Sequence, residues 1–150
     1  MGIIVRKTLE VEMEEIKVGE CEMSEDIFAI RITLKEKGKK GNILLVVCYM
    51  TVEGRNGRED NVKKYEMVGR LTKEHKRDQV IVMGDMNGHI GILGENINGN
   101  GELLLSFAEE NDLEILNVTM AEGRVTWRKN MCKSAIDYIL VNENARKRVQ

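Results

Sequence analysis

The residues best equipped for chemistry sit close together in Gly84-Asp85-Met86-Asn87-Gly88-His89-Ile90-Gly91. The Asp85 carboxylate can accept a water proton or bind a metal, and the Asn87 amide both donates and accepts. The two are two positions apart, so in an extended segment they face the same side. Gly84, Gly88 and Gly91 allow tight turns around them. The plainer alternative is an Asx-stabilised turn that merely closes a core strand. A second acid, Asp137, lies in Ser134-Ala135-Ile136-Asp137-Tyr138-Ile139-Leu140-Val141. A carboxylate in an apolar strand costs several kcal/mol unless paired or hydrogen-bonded, so Asp137 is expected to be buried with a partner or a task. Tyr49 ends the run Val46-Val47-Cys48-Tyr49. A phenol there can donate one hydrogen bond and stack, or simply cap a sheet half-buried.

These residues need a scaffold of strands and helices. Residues 79–83 form an apolar run between charge and glycine, which predicts a buried strand delivering Asp85 to its end. Before it, residues 61–75 read as an amphipathic helix. Val62, Tyr65, Val68 and Leu71 share one face, and Lys63, Lys64, Arg70, Lys73 and Lys76 lie elsewhere. Residues 27–34 and 42–50 predict two strands joined as a hairpin by a Lys/Gly turn at 35–41, whose tip is solvated or touches phosphate. Residues 2–9 read as a first strand, and 10–25 as an acidic, solvated strand and turn. Residues 53–60 and 91–101 read as loops. Arg55 and Arg58 in the first could meet a phosphate backbone. A second helix is predicted at 102–111 on Leu103, Leu104, Phe107 and Ala108. Strands are predicted at 113–118, at Thr126-Trp127 and at 134–141. Trp127 is expected in the core or as a wall near the site, ahead of base stacking.

At 150 residues the chain predicts one domain, with 42% hydrophobic and 32% charged residues, ordinary for a soluble globular protein. A net charge of −2 excludes a global basic footprint but leaves room for a local one. Cys21, Cys48 and Cys132 have no paired spacing. They fit reduced thiols in an intracellular protein, with Cys48 in the core, and no Cys/His cluster suggests zinc. There is no proline, no apolar run long enough for a transmembrane helix and no signal-peptide pattern. The chain starts inside a strand pattern and stops in the charged run 142–150, so both ends are expected to be cut from something longer. Core faces exposed at such edges predict poor solubility or association.

Three stretches taken in order resemble the endonuclease/exonuclease/phosphatase superfamily, the DNase I-like fold. They are Val46-Val47-Cys48-Tyr49-Met50, Gly84 to Gly91, and Ser134-x-Ile136-Asp137-Tyr138-Ile139-Leu140-Val141. The likeness is nearest to endonuclease domains of non-LTR retrotransposons and the related craniofacial development protein 2-like sequences, over residues 2 to about 144. The resemblance implies an α/β fold, part of a two-sheet, four-layered sandwich, with residues 1–150 as one incomplete domain. It implies Mg²⁺- or Mn²⁺-dependent phosphodiester hydrolysis of DNA, of the endonuclease type. By motif, Asp85 positions or deprotonates water and, with Asn87, holds the metal. Asn87 hydrogen-bonds the phosphate or Asp85, Tyr49 contacts the phosphate, and Asp137 orients a histidine. The implied partner is DNA, with fusion to or association with a reverse transcriptase region, no membrane, and an intracellular, nuclear location.

The chain departs from that pattern in three places. Met50-Thr51-Val52 stands where the family has a small residue and proline. The family's metal-binding glutamate, which precedes the first strand, has no counterpart. Nor does the histidine of its late Ser-Asp-His motif. Only His75, late in a helix pattern, and His89, in the glycine-rich loop, are present. Little or no hydrolysis is therefore expected of this polypeptide alone. The alternatives are a non-catalytic remnant or binding module on the same scaffold, and a phosphatase acting on small phosphorylated molecules or lipids.

Overall fold

The computed structural model describes residues 11–19, 25–36, 39–54, 57–120 and 124–149. The strand expected at 2–9, Cys21 and Arg55 lie outside them. Strands β1 (Val11–Ile16), β2 (Ile27–Glu36) and β3 (Lys39–Tyr49) form an antiparallel meander. Helix α1 (Gly57–Glu74) then crosses over to β4 (Gln79–Asp85), which runs parallel to β3. Parallel neighbours need such a crossover, and α1 supplies it. After α2 (Gly99–Glu110) come β5 (Glu114–Ile115), the single turn α3 (Leu116–Thr119), β6 (Trp127–Lys129), β7 (Cys132–Ser134), β8 (Asp137–Val141) and α4 (Glu143–Arg146). The main sheet has six strands in the order β1-β2-β3-β4-β8-β5, and β6 and β7 form a separate ribbon. The fold is α/β, as expected. No helix among the described residues is long and apolar enough to cross a membrane.

One face of the sheet carries the main core. Leu44, Val46, Cys48, Val80, Val82, Tyr138 and Leu140 are buried there in one cluster with Tyr65, Val68 and Leu71 of α1 and Leu104, Phe107 and Ala108 of α2. The Tyr65 and Phe107 rings stack at 4.8 Å between centroids, tying the two helices together. The apolar positions chosen from periodicity are therefore the packed ones, except Val62, which is exposed. On the opposite face Val141 packs with Leu116 and Ala145, and Ile81 and Val149 pack against them.

Three local expectations fail, each for a non-local reason. Residues 113–118 pair with β8 only at Glu114 and Ile115. Beyond that, the Asn117 amide donates to the Asp137 carbonyl at 3.0 Å and accepts from the Ile139 N–H at 2.9 Å, so a side chain replaces the ladder and the backbone turns into α3. Residues 134–141 are not one strand. At Ala135-Ile136 the chain passes from the ribbon to the main sheet, and the Ile136 carbonyl accepts from Met86 N–H at 2.8 Å. Finally, Lys64 on the polar side of α1 is buried, with a side-chain exposure of only 1%.

Candidate active site

The strand register brings three of the expected residues into one row. Tyr49 is level with Asp85 across the parallel β3–β4 pair, and Asp85 is directly opposite Asp137 across the antiparallel β4–β8 pair. All three stand at one end of the sheet, on the face turned away from α1 and α2. Asp85 is half-buried and Tyr49 is 43% exposed.

Asp137 corrects an expectation. Its side chain is exposed, not buried. In β8 the buried residues are Tyr138 and Leu140, which face the helices, while Asp137 and Ile139 alternate onto the other face. The carboxylate therefore stays solvated, and the desolvation argument for a buried partner does not apply. Its backbone is held: Thr126 Oγ1 accepts from the N–H groups of Ile136 (3.0 Å) and Asp137 (3.2 Å).

The turn after β4 is also not the extended segment that the spacing suggested. Asp85 Oδ1 accepts the Asn87 N–H at 2.9 Å, and Asn87 has φ 45°, a left-handed conformation that asparagine tolerates. The Asx turn and the candidate site are thus one structure. Asn87 Nδ2 donates to the Met50 carbonyl at 2.7 Å, which leaves the amide oxygen as its remaining polar group. Gly84 makes the strand end possible. Its φ is 144°, and a Cβ there would overlap the Cys48 carbonyl of β3.

A second ring of residues, absent from the expectations, fixes the loops behind this row. Asn61 of α1 is fully buried. It accepts from Thr51 N–H at 2.8 Å and donates to the Thr51 carbonyl (2.8 Å) and to Asn100 Oδ1 (2.9 Å). Asn100 Nδ2 is shared between the carbonyls of Thr51 (3.0 Å) and Asn87 (3.1 Å). Asn98 caps α2, its Oδ1 accepting from Gly101 N–H (2.8 Å) and His89 N–H (2.9 Å). Lys64 Nζ donates to Asp26 Oδ2 (2.6 Å), Thr51 Oγ1 (2.9 Å) and the Tyr49 carbonyl (3.2 Å). Asn98 was findable from sequence as an N-cap before an apolar periodic run. For Asn61 the only signal is an asparagine inside a helix, where it is a poor former.

Beside Tyr49 and Asp85 lies a cavity of about 440 Å³, lined among others by Asn87, His89, Asn98 and Trp127, with Asp137 outside its lining. Trp127 is 40% exposed, so it is a wall of the site and not part of the core. His75 is elsewhere: its Nδ1 lies 3.2 Å from Asp78 Oδ2, beside the start of β4. Burial pushes the Asp85 carboxyl above its ordinary range. The Asn87 N–H works against this and the Asp137 charge adds to it. Two neighbouring carboxylates and an amide oxygen are hard donors. They suit Mg²⁺ or Mn²⁺, which Mg²⁺-type sites hold through one or two carboxylates while the ion keeps several waters. Among the described residues no group of three or more His, Cys, Asp or Glu side chains gathers for a metal. The donors present therefore suit a hard cation that keeps most of its own waters.

Comparison with known proteins places this geometry. The family model described as endonuclease-reverse transcriptase matches residues 43–150. The endonuclease domain of TRAS1, a telomere-specific non-LTR retrotransposon, superposes with a TM-score of 0.71 at 17% identity, covering 92% of this chain and 58% of that one. The AP endonuclease LMAP from Leishmania major gives 0.61 at 12% identity, covering 91% and 54%. D. rerio TDP2 complexed with a single-strand DNA product gives 0.54 at 16% identity, covering 92% and 55%. No curated protein matches. The chain thus spans between 54% and 58% of the length of these structures. With a family match reaching from mid-β3 through β8 and a shared fold, the chain belongs to the endonuclease-reverse transcriptase family, within the DNase I-like endonuclease/exonuclease/phosphatase superfamily.

Proposed function

We propose that the row Tyr49–Asp85–Asp137 handles a phosphodiester of DNA, and that the reaction is metal-dependent hydrolysis of the endonuclease type. The observation that carries this is the register. It sets two carboxylates opposite each other at a sheet end, beside a phenol, with Tyr49 and Asp85 in an open cavity whose loops are locked from behind. A Mg²⁺ or Mn²⁺ ion held by Asp85 and Asn87 supplies positive charge to the phosphate when bound. Asp85 commits one oxygen to its turn and keeps the other for the attacking water, whose proton it accepts. Tyr49 donates its hydroxyl to a non-bridging phosphate oxygen, and the Asn87 amide oxygen faces the water or the ion. Asp137 adds its charge beside Asp85, and among the described residues no histidine hydrogen-bonds its carboxylate. DNA as partner, a nuclear setting and association with a reverse transcriptase region complete this reading.

A second reading is favoured by one specific observation: Asp137 is exposed, and among the described residues no third metal-ligating side chain joins the pair. On that reading the chain by itself is a non-catalytic module with the scaffold and without the chemistry. Nicking of supercoiled plasmid separates the two, measured with and without Mg²⁺ beside Asp85→Ala and Asn87→Ala. Metal-dependent nicking that both substitutions abolish supports the endonuclease. Absence of nicking at every metal concentration supports the non-catalytic module. Turnover confined to phosphomonoesters would move the substrate to small phosphorylated molecules.

A further inference from the structure

A cavity larger than the one at Asp85 lies elsewhere. It measures about 910 Å³ and lies at the other end of the sheet, by the start of β4. The six steps from Gln79 to Asp85 put roughly 20 Å between the two. Arg31, Lys76, Arg77, Lys147 and Arg148 line it, against the carboxylates Glu74 and Asp78. The lining residues sum to +3 in a chain that totals −2, with Glu143 paired to Lys147 and the Glu14 charge acting on Arg31 from β1. The cations come from three separate elements: β2, the turn from α1 to β4, and the end of α4.

Its interior is organised. Asp78 is buried and takes Arg31 Nε at 2.9 Å and Nη2 at 3.4 Å, Asn42 Nδ2 at 3.3 Å, and His75 Nδ1 at 3.2 Å. Asp78 is thus consumed, and Arg31 is held with its remaining N–H groups uncommitted. Lys147 pairs with Glu143 at 2.8 Å. Lys76, Arg77 and Arg148 are exposed, and none of their side chains makes an ion pair or hydrogen bond with a described residue. Among the described residues no apolar side chain lines the cavity. That argues against a protein partner, whose interface needs an apolar centre, and against a drug-like organic ligand, whose pocket is mostly apolar. A phosphate backbone needs only positive charge and polar donors, which is what is present.

We infer that this cavity is a second nucleic-acid contact, which grips the phosphate backbone of a DNA strand at a distance from Asp85. The contact is electrostatic and blind to sequence. It does not depend on hydrolysis, so it stands or falls separately from the endonuclease reading.

The test is equilibrium binding of a short labelled DNA duplex in EDTA, across a range of salt concentrations. The variants are Lys76→Gln/Arg77→Gln/Arg148→Gln and the charge-keeping Lys76→Arg/Arg77→Lys/Arg148→Lys. Each phosphate contact contributes a slope of about −0.9, so losing three flattens log K against log salt by roughly 2.7. That removes about 40-fold of the weakening between roughly 50 and 200 mM salt. The expected result is this flattening in the glutamine variant and a near-native slope in the charge-keeping one, both with unchanged thermal unfolding. An unchanged slope in the glutamine variant overturns the inference. So does binding of inorganic phosphate without duplex binding, which would make this a small-anion site. Equal binding of polyglutamate, lost in the same variant, also overturns it by assigning the face to an acidic protein.

Discussion

Replacing Lys64 by methionine should destabilise the protein by about 2 kcal/mol, even though it removes a buried charge. The lysine side chain is 1% exposed, and its ammonium makes three hydrogen bonds, to Asp26, Thr51 and the Tyr49 carbonyl. Asp26 is 43% exposed, so water replaces the ammonium there and the pair itself is worth at most about 1 kcal/mol. The Thr51 hydroxyl and the Tyr49 carbonyl lose a charged donor in a place that water reaches poorly, at roughly 1–3 kcal/mol. Methionine keeps most of the methylene packing and avoids the desolvation of an ammonium, which offsets part of that loss. Thermal unfolding should therefore fall by about 4–8 °C, at roughly 2–4 °C per kcal/mol for a chain of this size. Asp26→Asn should cost less than about 1 kcal/mol, because it leaves the other two contacts in place. A Lys64→Met variant as stable as the parent would refute the reasoning. It would mean that the ammonium is a tolerated guest in an apolar slot, not the clamp that holds the end of β3.

Asp85→Asn in metal-free buffer should raise the unfolding temperature at neutral pH. Burial and Asp137 raise the folded-state affinity of this carboxyl for its proton, so its charge opposes folding above the raised value. The gain should vanish as the pH falls below the ordinary aspartate value of about 3.9, where both states are protonated, and pH-dependent melting curves check this. Asp78 has the opposite sign. Burial pushes its carboxyl up, but the hydrogen bonds from Arg31, His75 and Asn42 outweigh that and hold it low. Its contribution is thus fully present above the ordinary value and lost as the pH falls through the folded one, and Asp78→Asn should remove that part of the acid sensitivity. Gly84→Ala should cost about 3 kcal/mol or more in denaturant titration, because both the positive φ and the Cys48 carbonyl forbid the methyl.

What could be read from the sequence is what local pattern encodes. The apolar run at 79–83 announced a strand, the periodicity before it announced a helix, and Tyr49, Asp85 and Asn87 were chosen on residue type and place. All three line one cavity. What escaped were partnerships across sequence. The burial of Lys64 depends on Asp26, 38 positions earlier, and that of Asn61 on Asn100, 39 positions later. Asp137 was misjudged for a related reason. An apolar stretch says that one face of a strand is covered and does not say that both are, and only the position of β8 beside β4 reveals on which face the acid falls.

The residues that escaped join Asn87 in making the site stiff. Asn61, Asn87, Asn98 and Asn100 each carry a donor and an acceptor, so an asparagine can bridge two loops where no ladder is available. They tie the Thr51 backbone, the Asn87 turn and the start of α2 into one network, and Lys64 adds the end of β3. On the proposed function, a phosphate that arrives at Tyr49 and Asp85 meets loops already ordered by groups it never touches. Electrostatic stabilisation is worth most when the donors need no rearrangement at the moment of reaction, and this wiring supplies that condition behind the exposed row.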